Sequence, residues 1–153
     1  MARDTRTAAL VSSPGSIDWM CFPRFDSPPV FGALVGGDRA GRFAVELDDV
    51  RRTDRRYLED SVLLETTWAT STGEARLLDG MVADTDRALL PQGLLVRALT
   101  CTGGRVRGSL RFAPAAEWGD EPYRVERRHG RLVCLHHRTV LTLATSSELR
   151  IEP

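Results

Sequence analysis

A chain of 153 residues and 17.0 kDa with 42% hydrophobic residues can bury a core without disulfides or a structural metal, and it fits a single domain over 1–153. A formal net charge of +0 and a pI near 6.8 exclude general electrostatic attraction to nucleic acid or to an anionic membrane, so neither is an expected partner. All 21 basic residues are arginine, which reflects a GC-rich coding composition and lowers the meaning of any arginine cluster.

The opening, Met1 to Thr7, lacks the apolar core of a signal peptide, and no run approaches a membrane span; a soluble cytoplasmic protein is expected. Thr7 to Ser12 and Ile17 to Phe22 are rich in branched, aromatic and apolar residues, and Ser13-Pro14-Gly15-Ser16 between them is turn chemistry. The unit reads as a β-hairpin. Strict alternation puts Ile17, Trp19 and Cys21 on one face of the second strand and Asp18, Met20 and Phe22 on the other. Pro23, Pro28 and Pro29 then take the chain out of the ladder and keep it stiff to Val30. This rigid loop presents Arg24, Phe25 and Asp26, which either pair among themselves or meet a partner surface or a sugar.

Phe31 to Val35 fits one helical turn, and Gly36-Gly37-Asp38 with Gly41 marks a reversal. Gly41 to Leu47 alternates, with Phe43, Val45 and Leu47 sharing a face, as in a half-buried strand. Asp48 to Arg56 reads as a charged, solvated connection. Val62 to Thr70, the turn Ser71-Thr72-Gly73 and Glu74 to Met81 form the next pair of strands, with Asp79 at an end open to solvent. Val82 to Pro91, with Asp84, Asp86 and Arg87, is irregular. Gly93 to Thr102, a Gly103-Gly104 turn and Arg105 to Ala113 read as a hairpin whose second strand has an arginine-rich wet face.

Pro114 to Pro122 is a loop carrying Glu117, Trp118, Asp120 and Glu121. Tyr123 to Arg128, Arg131 to His137 and Thr139 to Thr145 are three short strands, and another starts near Glu148. No amphipathic helix of ordinary length is visible. Turn signals at short, regular spacing predict an all-β fold, an antiparallel β-sandwich.

Chemistry-bearing patterns are few. The three cysteines, Cys21, Cys101 and Cys134, are scattered through apolar strands and read as reduced, buried small hydrophobes. His136-His137, with His129 and Cys134, suggests a metal site, but neighbouring residues of a regular strand point to opposite faces, so no metal is expected. There is no Gly-x-Ser-x-Gly elbow and no phosphate-cradling glycine loop, so no cofactor is expected either. Paired carboxylates cleave glycosides, one as acid and one as base. Asp18, Asp26, Asp79, Asp84, Glu117, Asp120 and Glu121 are available, with no pair singled out. Of Trp19, Trp68 and Trp118, the first two sit in strands and belong to the core; Trp118, beside Glu117, is the candidate sugar platform.

Arg6-Thr-Ala-Ala-Leu-Val-Ser followed by Gly15-Ser-Ile-Asp-Trp-Met-Cys-Phe-Pro-Arg-Phe-Asp-Ser-Pro closely resembles the opening of the trehalase-like N-terminal domain of bacterial and archaeal glycoside hydrolase family 15 proteins of glucoamylase or trehalase type. Arg55-Arg-Tyr-Leu-Glu-Asp-Ser-Val-Leu-Leu-Glu-Thr and Gly73 to Met81, with Asp79, are similar to later blocks of that domain. The resemblance runs from about Arg3 to Ala113 and includes rare residues such as Trp19 and Cys21. Where the family shows an aromatic, acidic, Tyr-Gly loop, this chain has Ala116-Glu117-Trp118-Gly119.

The resemblance implies a β-sandwich, part of a larger super-β-sandwich, ahead of an (α/α)6 barrel that hydrolyses α-glucosidic bonds with inversion through two glutamates. Those glutamates belong to the barrel, so the chain is expected to be a truncated fragment with no catalytic residue of its own, partnered in cis by the missing barrel. Arg24, Phe25 and Asp26 are then the expected contact at the interdomain surface or substrate entrance. Two other readings compete: a free-standing carbohydrate-binding or protein-interaction module using Trp118 and Glu117, and a decayed fragment. A homo-oligomer covering open strand edges is also compatible with the pattern.

Overall fold

Alternating apolarity becomes antiparallel pairing throughout the residues described by the computed structural model, 2–3, 6–82, 93–137 and 139–146. Asp84, Asp86, Arg87 and the strand expected near Glu148 lie outside the described residues. The chain runs through β1 (Ala2–Arg3), β2 (Ala8–Val11), β3 (Ser16–Cys21), β4 (Pro29–Phe31), β5 (Arg42–Leu47), β6 (Val50–Tyr57), β7 (Leu64–Thr70), β8 (Gly73–Met81), β9 (Leu95–Gly104), β10 (Gly108–Ala113), β11 (Arg124–Arg128), β12 (Arg131–His136) and β13 (Thr139–Leu143). A six-stranded sheet has the order β1-β2-β3-β5-β10, with β4 on β3; a four-stranded sheet has the order β6-β7-β8-β9; β11-β12-β13 form a third. The only helical pieces among the described residues are the turn Ala33–Gly36, as expected near Phe31 to Val35, and 3-10 turns at Asp38–Ala40 and Glu117–Gly119.

The first two sheets face each other across the core, which makes the fold the expected all-β sandwich. Ala9, Val11, Ile17, Met20 and Phe43 from one side meet Leu64 and Met81 from the other, with Leu141 and Leu143 of β13 packed against them. A second cluster joins Val45 to Trp68, Ala75 and Leu77. Phe31, Phe43 and Phe112 stack edge-on or tilted at 5.2–6.1 Å between ring centroids. Burying one Ile, Leu or Phe of this core stabilises the fold by about 1.5–3 kcal/mol.

Four local expectations are corrected. The predicted hairpin across Gly103-Gly104 does not form: β9 pairs with β8, and β10 crosses to pair with β5, setting Phe112 opposite Phe43 and Leu110 opposite Val45. The Gly-Gly pair instead permits a close approach. Gly104 has φ +63°, a side chain there would meet the Thr72 carbonyl oxygen at 2.4 Å, and the Arg105 amide donates to that oxygen at 3.0 Å. Both uses demand the same turn residues, and apolar matching to β5 decides between them.

The charged stretch from Asp48 is no mere connection, because Val50–Tyr57 is an edge strand exposed along its whole length. With neither face covered it carries no apolar alternation, and its charges protect an unpaired edge. Third, β3 is bulged: Val11 pairs with Ile17 and Leu10 with Trp19, leaving Asp18 as the extra residue. Ile17 and Met20 therefore both enter the core, and Trp19 is left outside it beside Leu10. Finally, the proline loop ends earlier than expected, since Pro29–Phe31 adds to β3 as β4, with proline at the first strand position, where its missing amide is tolerated.

Candidate functional site

Three places gather the polar and aromatic residues of this sandwich. In the proline loop, Arg24 Nε lies 3.0 Å from Asp26 Oδ1, and both side chains are more than two-thirds exposed. The Arg24 amide donates to Ser27 Oγ at 3.2 Å, the Ser27 amide to the Arg24 carbonyl at 3.1 Å, and the Phe25 amide to the Arg6 carbonyl at 3.0 Å. The loop is thus pinned to the chain before β2 while Phe25 projects into solvent, 61% exposed. The Phe22-Pro23 peptide at its start is cis. Arg24 and Asp26 pair with each other, and their apolar neighbour Phe25 is left exposed.

Inside the sandwich, Asp79 is fully buried, against the expectation of a solvent-open strand end. Arg97 explains it. The Arg97 guanidinium donates from Nε to Asp79 Oδ1 at 2.7 Å and from Nη2 to Asp79 Oδ2 at 3.2 Å. Its Nη1 and Nη2 also donate to the Phe43 carbonyl at 2.7 Å and the Gly15 carbonyl at 2.5 Å, and its Cζ sits 4.9 Å from the centre of the Phe43 ring. One side chain, itself 4% exposed, ties β8 and β9 to β5 and to the turn before β3. Sequence reasoning passed over Arg97, although a lone arginine inside Leu95-Val-Arg-Ala-Leu is the signal that a buried anion awaits it.

The third place is the Glu117 loop. Glu117 and Trp118 take left-handed backbone angles, φ 46° and 61°, which turn the Trp118 ring onto Trp19 at 5.6 Å between centroids. Trp118 remains 40% exposed, and Leu34 and Val35 of the helical turn before β5 are exposed as well. Trp68, by contrast, is buried in the core, as expected for a strand tryptophan. Trp19 reaches Trp118 because of the bulge at Asp18, so their pairing was not readable from alternation.

Beside this loop, Glu121 Oε2 lies 2.7 Å from His136 Nε2 and 3.3 Å from His137 Nε2. His136 and the histidine at 137 do not point apart as a continuous strand would require. β12 ends at His136, and His137 turns away with φ 46°, bringing the two rings to 4.2 Å. The hydrogen bond from His136 holds the Glu121 carboxyl below the ordinary carboxylate range.

The cysteines are free, but they are not equivalent. Burial raises the thiol pKa of Cys21 and of Cys134, whereas Cys101 is exposed on β9, contrary to the expectation that all three are buried. Asp18, near the turn into β3, accepts from Ser16 Oγ at 2.6 Å and lies 3.9 Å from Arg42. Asp18, Asp26, Asp79 and Glu121 thus each face a partner within the fold. No helix among the described residues is long and apolar enough to cross a membrane.

The family model described as "Trehalase-like, N-terminal" matches residues 1–147. A trehalase of Mycolicibacterium smegmatis is 35% identical over 133 residues, covering 75% of this chain and 19% of its own length. A trehalase of Mycobacterium tuberculosis is 33% identical over the same coverage, and Trehalase 1 of Sulfolobus acidocaldarius is 46% identical over 76 residues, 49% of this chain and 13% of its own. The chain therefore spans about a fifth or less of these relatives. No solved structure matches it.

Proposed function

The chain belongs to the trehalase-like N-terminal domain family, and on that premise we propose that it is the non-catalytic N-terminal sandwich of a family 15 glycoside hydrolase, glucoamylase-like or trehalase-like, that hydrolyses α-glucosidic bonds with inversion. The observation that carries this reading is the shape of the match: the family model spans residues 1–147, and the 75% of the chain that aligns to each mycobacterial trehalase covers only 19% of it. A segment of that kind is a module of a larger hydrolase. Its acidic residues support a structural role, since Asp79 is held by Arg97 and Asp26 by Arg24.

In this reading 1–153 is one domain that packs on a catalytic barrel in cis. The pinned, Phe25-bearing loop is the contact, because a rigid loop with an exposed aromatic orders at little entropic cost. Free thiols at Cys21 and Cys134 fit a cytoplasmic setting. The test compares the 153-residue chain with a longer version carrying the barrel, on trehalose and on maltose. The short chain is expected to release no glucose; turnover by it would overturn the proposal.

A second reading has one observation in its favour. Trp118 is half-open to solvent while stacked on Trp19, a geometry suited to a sugar face, with Glu117 beside it as a hydrogen-bond acceptor. Under this reading the domain also holds α-glucoside sugars. Tryptophan fluorescence titrated with malto-oligosaccharides decides the matter, and the absence of a saturable change up to millimolar sugar rejects it.

A further inference from the structure

The His136 and His137 rings converge on one carboxylate oxygen, and their position is set by the fold rather than by chance encounter on a surface. β12 is the central strand of β11-β12-β13, and His136 is its last paired residue, opposite Thr139. The His136 ring packs against Tyr123 at 5.5 Å and its side chain is only 12% exposed, so its rotamer is constrained. His137 occupies the turn that follows, where histidine tolerates the left-handed conformation. Glu121 is placed by the isolated bridge between Ala116 and Glu121 that closes the Trp118 loop.

The three ligand atoms, Glu121 Oε2, His136 Nε2 and His137 Nε2, all lie within 4.8 Å of one another. Zinc–nitrogen and zinc–oxygen bonds of about 2.0–2.1 Å at tetrahedral angles require ligand atoms about 3.3 Å apart. The His137 to Glu121 separation of 3.3 Å already meets that, and the His136 to Glu121 separation of 2.7 Å needs to open by about half an ångström, within reach of a carboxylate rotation. Two imidazoles and one carboxylate select borderline ions such as zinc over magnesium or calcium, which prefer all-oxygen shells.

We propose that Glu121, His136 and His137 bind one Zn2+ ion or a close chemical relative of it, with the remaining coordination position left to water. The ion takes the place of the hydrogen bond between Glu121 and His136 and fastens the Trp118 loop to the β12–β13 turn. Its consequence is structural: the Trp118 loop, which already rests on the sandwich through Trp19 and the Ala115 amide, is tied to the three-stranded sheet as well. This site is independent of the reading of the chain as a hydrolase module.

The test uses the full 153-residue chain with any affinity tag removed, dialysed against EDTA and then titrated with ZnCl2 in a competition assay against a chromophoric chelator. Co2+ replaces Zn2+ for visible absorption, whose intensity reports coordination number. One equivalent is expected to bind, with intense absorption of the low-coordinate type. His137→Ala, which removes an exposed side chain, is expected to weaken binding by more than the about 10–100-fold that loss of an outer partner costs, without changing the melting temperature in EDTA. Glu121→Gln is expected to behave alike, and His129→Ala, at the opposite end of the β12 strand, to leave binding intact. No saturable binding below millimolar zinc, or equal affinity in wild type, His137→Ala and Glu121→Gln, overturns the proposal.

Discussion

Asp79 and Arg97 form a two-point ion pair, 2.7 and 3.2 Å, in the dry interior between two sheets, and the same guanidinium holds the carbonyl of Gly15, 82 positions earlier in the chain. Removing one partner of such a pair strands the other as an unpaired buried charge, which costs about 3–5 kcal/mol. Asp79→Ala is therefore expected to lower the free energy of unfolding by that amount in guanidinium titrations. Joint replacement by Asp79→Leu and Arg97→Met leaves no charge behind and is expected to cost markedly less than the sum of the single changes. Additive losses would show that the two side chains act separately.

Gly15 serves this junction through its shape. Its φ is +93°, and a side chain built there would lie 2.7 Å from the buried Trp68 ring. Gly15→Ala is expected to destabilise the fold by about 1–3 kcal/mol, from the left-handed backbone and the displaced indole together. Trp68 fluorescence should shift to the red as its packing loosens, and an unchanged denaturation midpoint would contradict the close approach.

How far these relations could be read in the chain depends on their range. The alternation in Phe43, Val45 and Leu47, the pair of strands β7 and β8, and the three strands after Pro122 were legible because each has one buried face and a turn of matching chemistry. The Gly103-Gly104 hairpin was misread because glycine pairs serve tight turns and close crossings alike, and the choice was made by Phe43 and Val45 in a distant strand. β6 was missed because an edge strand wet on both faces has no periodicity to detect. Asp79 was placed in solvent because its partner, Arg97, is 18 residues away. The convergence of His136 and His137 depends on a strand ending one residue before alternation says it should.

Thiol chemistry separates the three cysteines. Cys21 and Cys134 have thiol pKa values raised by burial, so at pH 7.5 they should resist iodoacetamide, while the exposed Cys101 is alkylated. Mass spectrometry of the native chain is expected to show one label, at Cys101, and three only after denaturation. The raised values also carry a pH dependence. Folding favours the protonated thiols, so their contribution to stability is intact below the unfolded thiol pKa, about 8.5, and is lost as pH rises through the folded values. Stability that grew with rising alkalinity in the Cys101→Ser background would contradict this sign.

Tryptophan truncations should separate core from surface. Trp68→Ala empties a buried site and is expected to cost about 3–5 kcal/mol. Trp118→Ala removes a half-open ring whose contact is Trp19, and about 1 kcal/mol is expected from the lost aromatic pair. Equal effects in denaturant titrations would mean that the Trp118 loop is as deeply built into the sandwich as Trp68.

The Arg24 loop offers the converse case, a rigid feature whose stability contribution is small. Exposed ion pairs are worth about 0–1 kcal/mol, and the Arg24–Asp26 pair is well exposed on both sides. Backbone hydrogen bonds from Phe25 to Arg6 and from Ser27 to Arg24 hold the loop without it. Arg24→Ala and Phe25→Ala are therefore expected to leave the melting temperature of the 153-residue chain within about 4 °C of wild type, as a change of up to 1 kcal/mol allows. In a longer version carrying the barrel, Phe25→Ala should loosen the domain contact, seen as faster proteolysis at the domain junction. Both results together separate a docking residue from a folding one, since a side chain needed for the fold would lower the melting temperature of the short chain first.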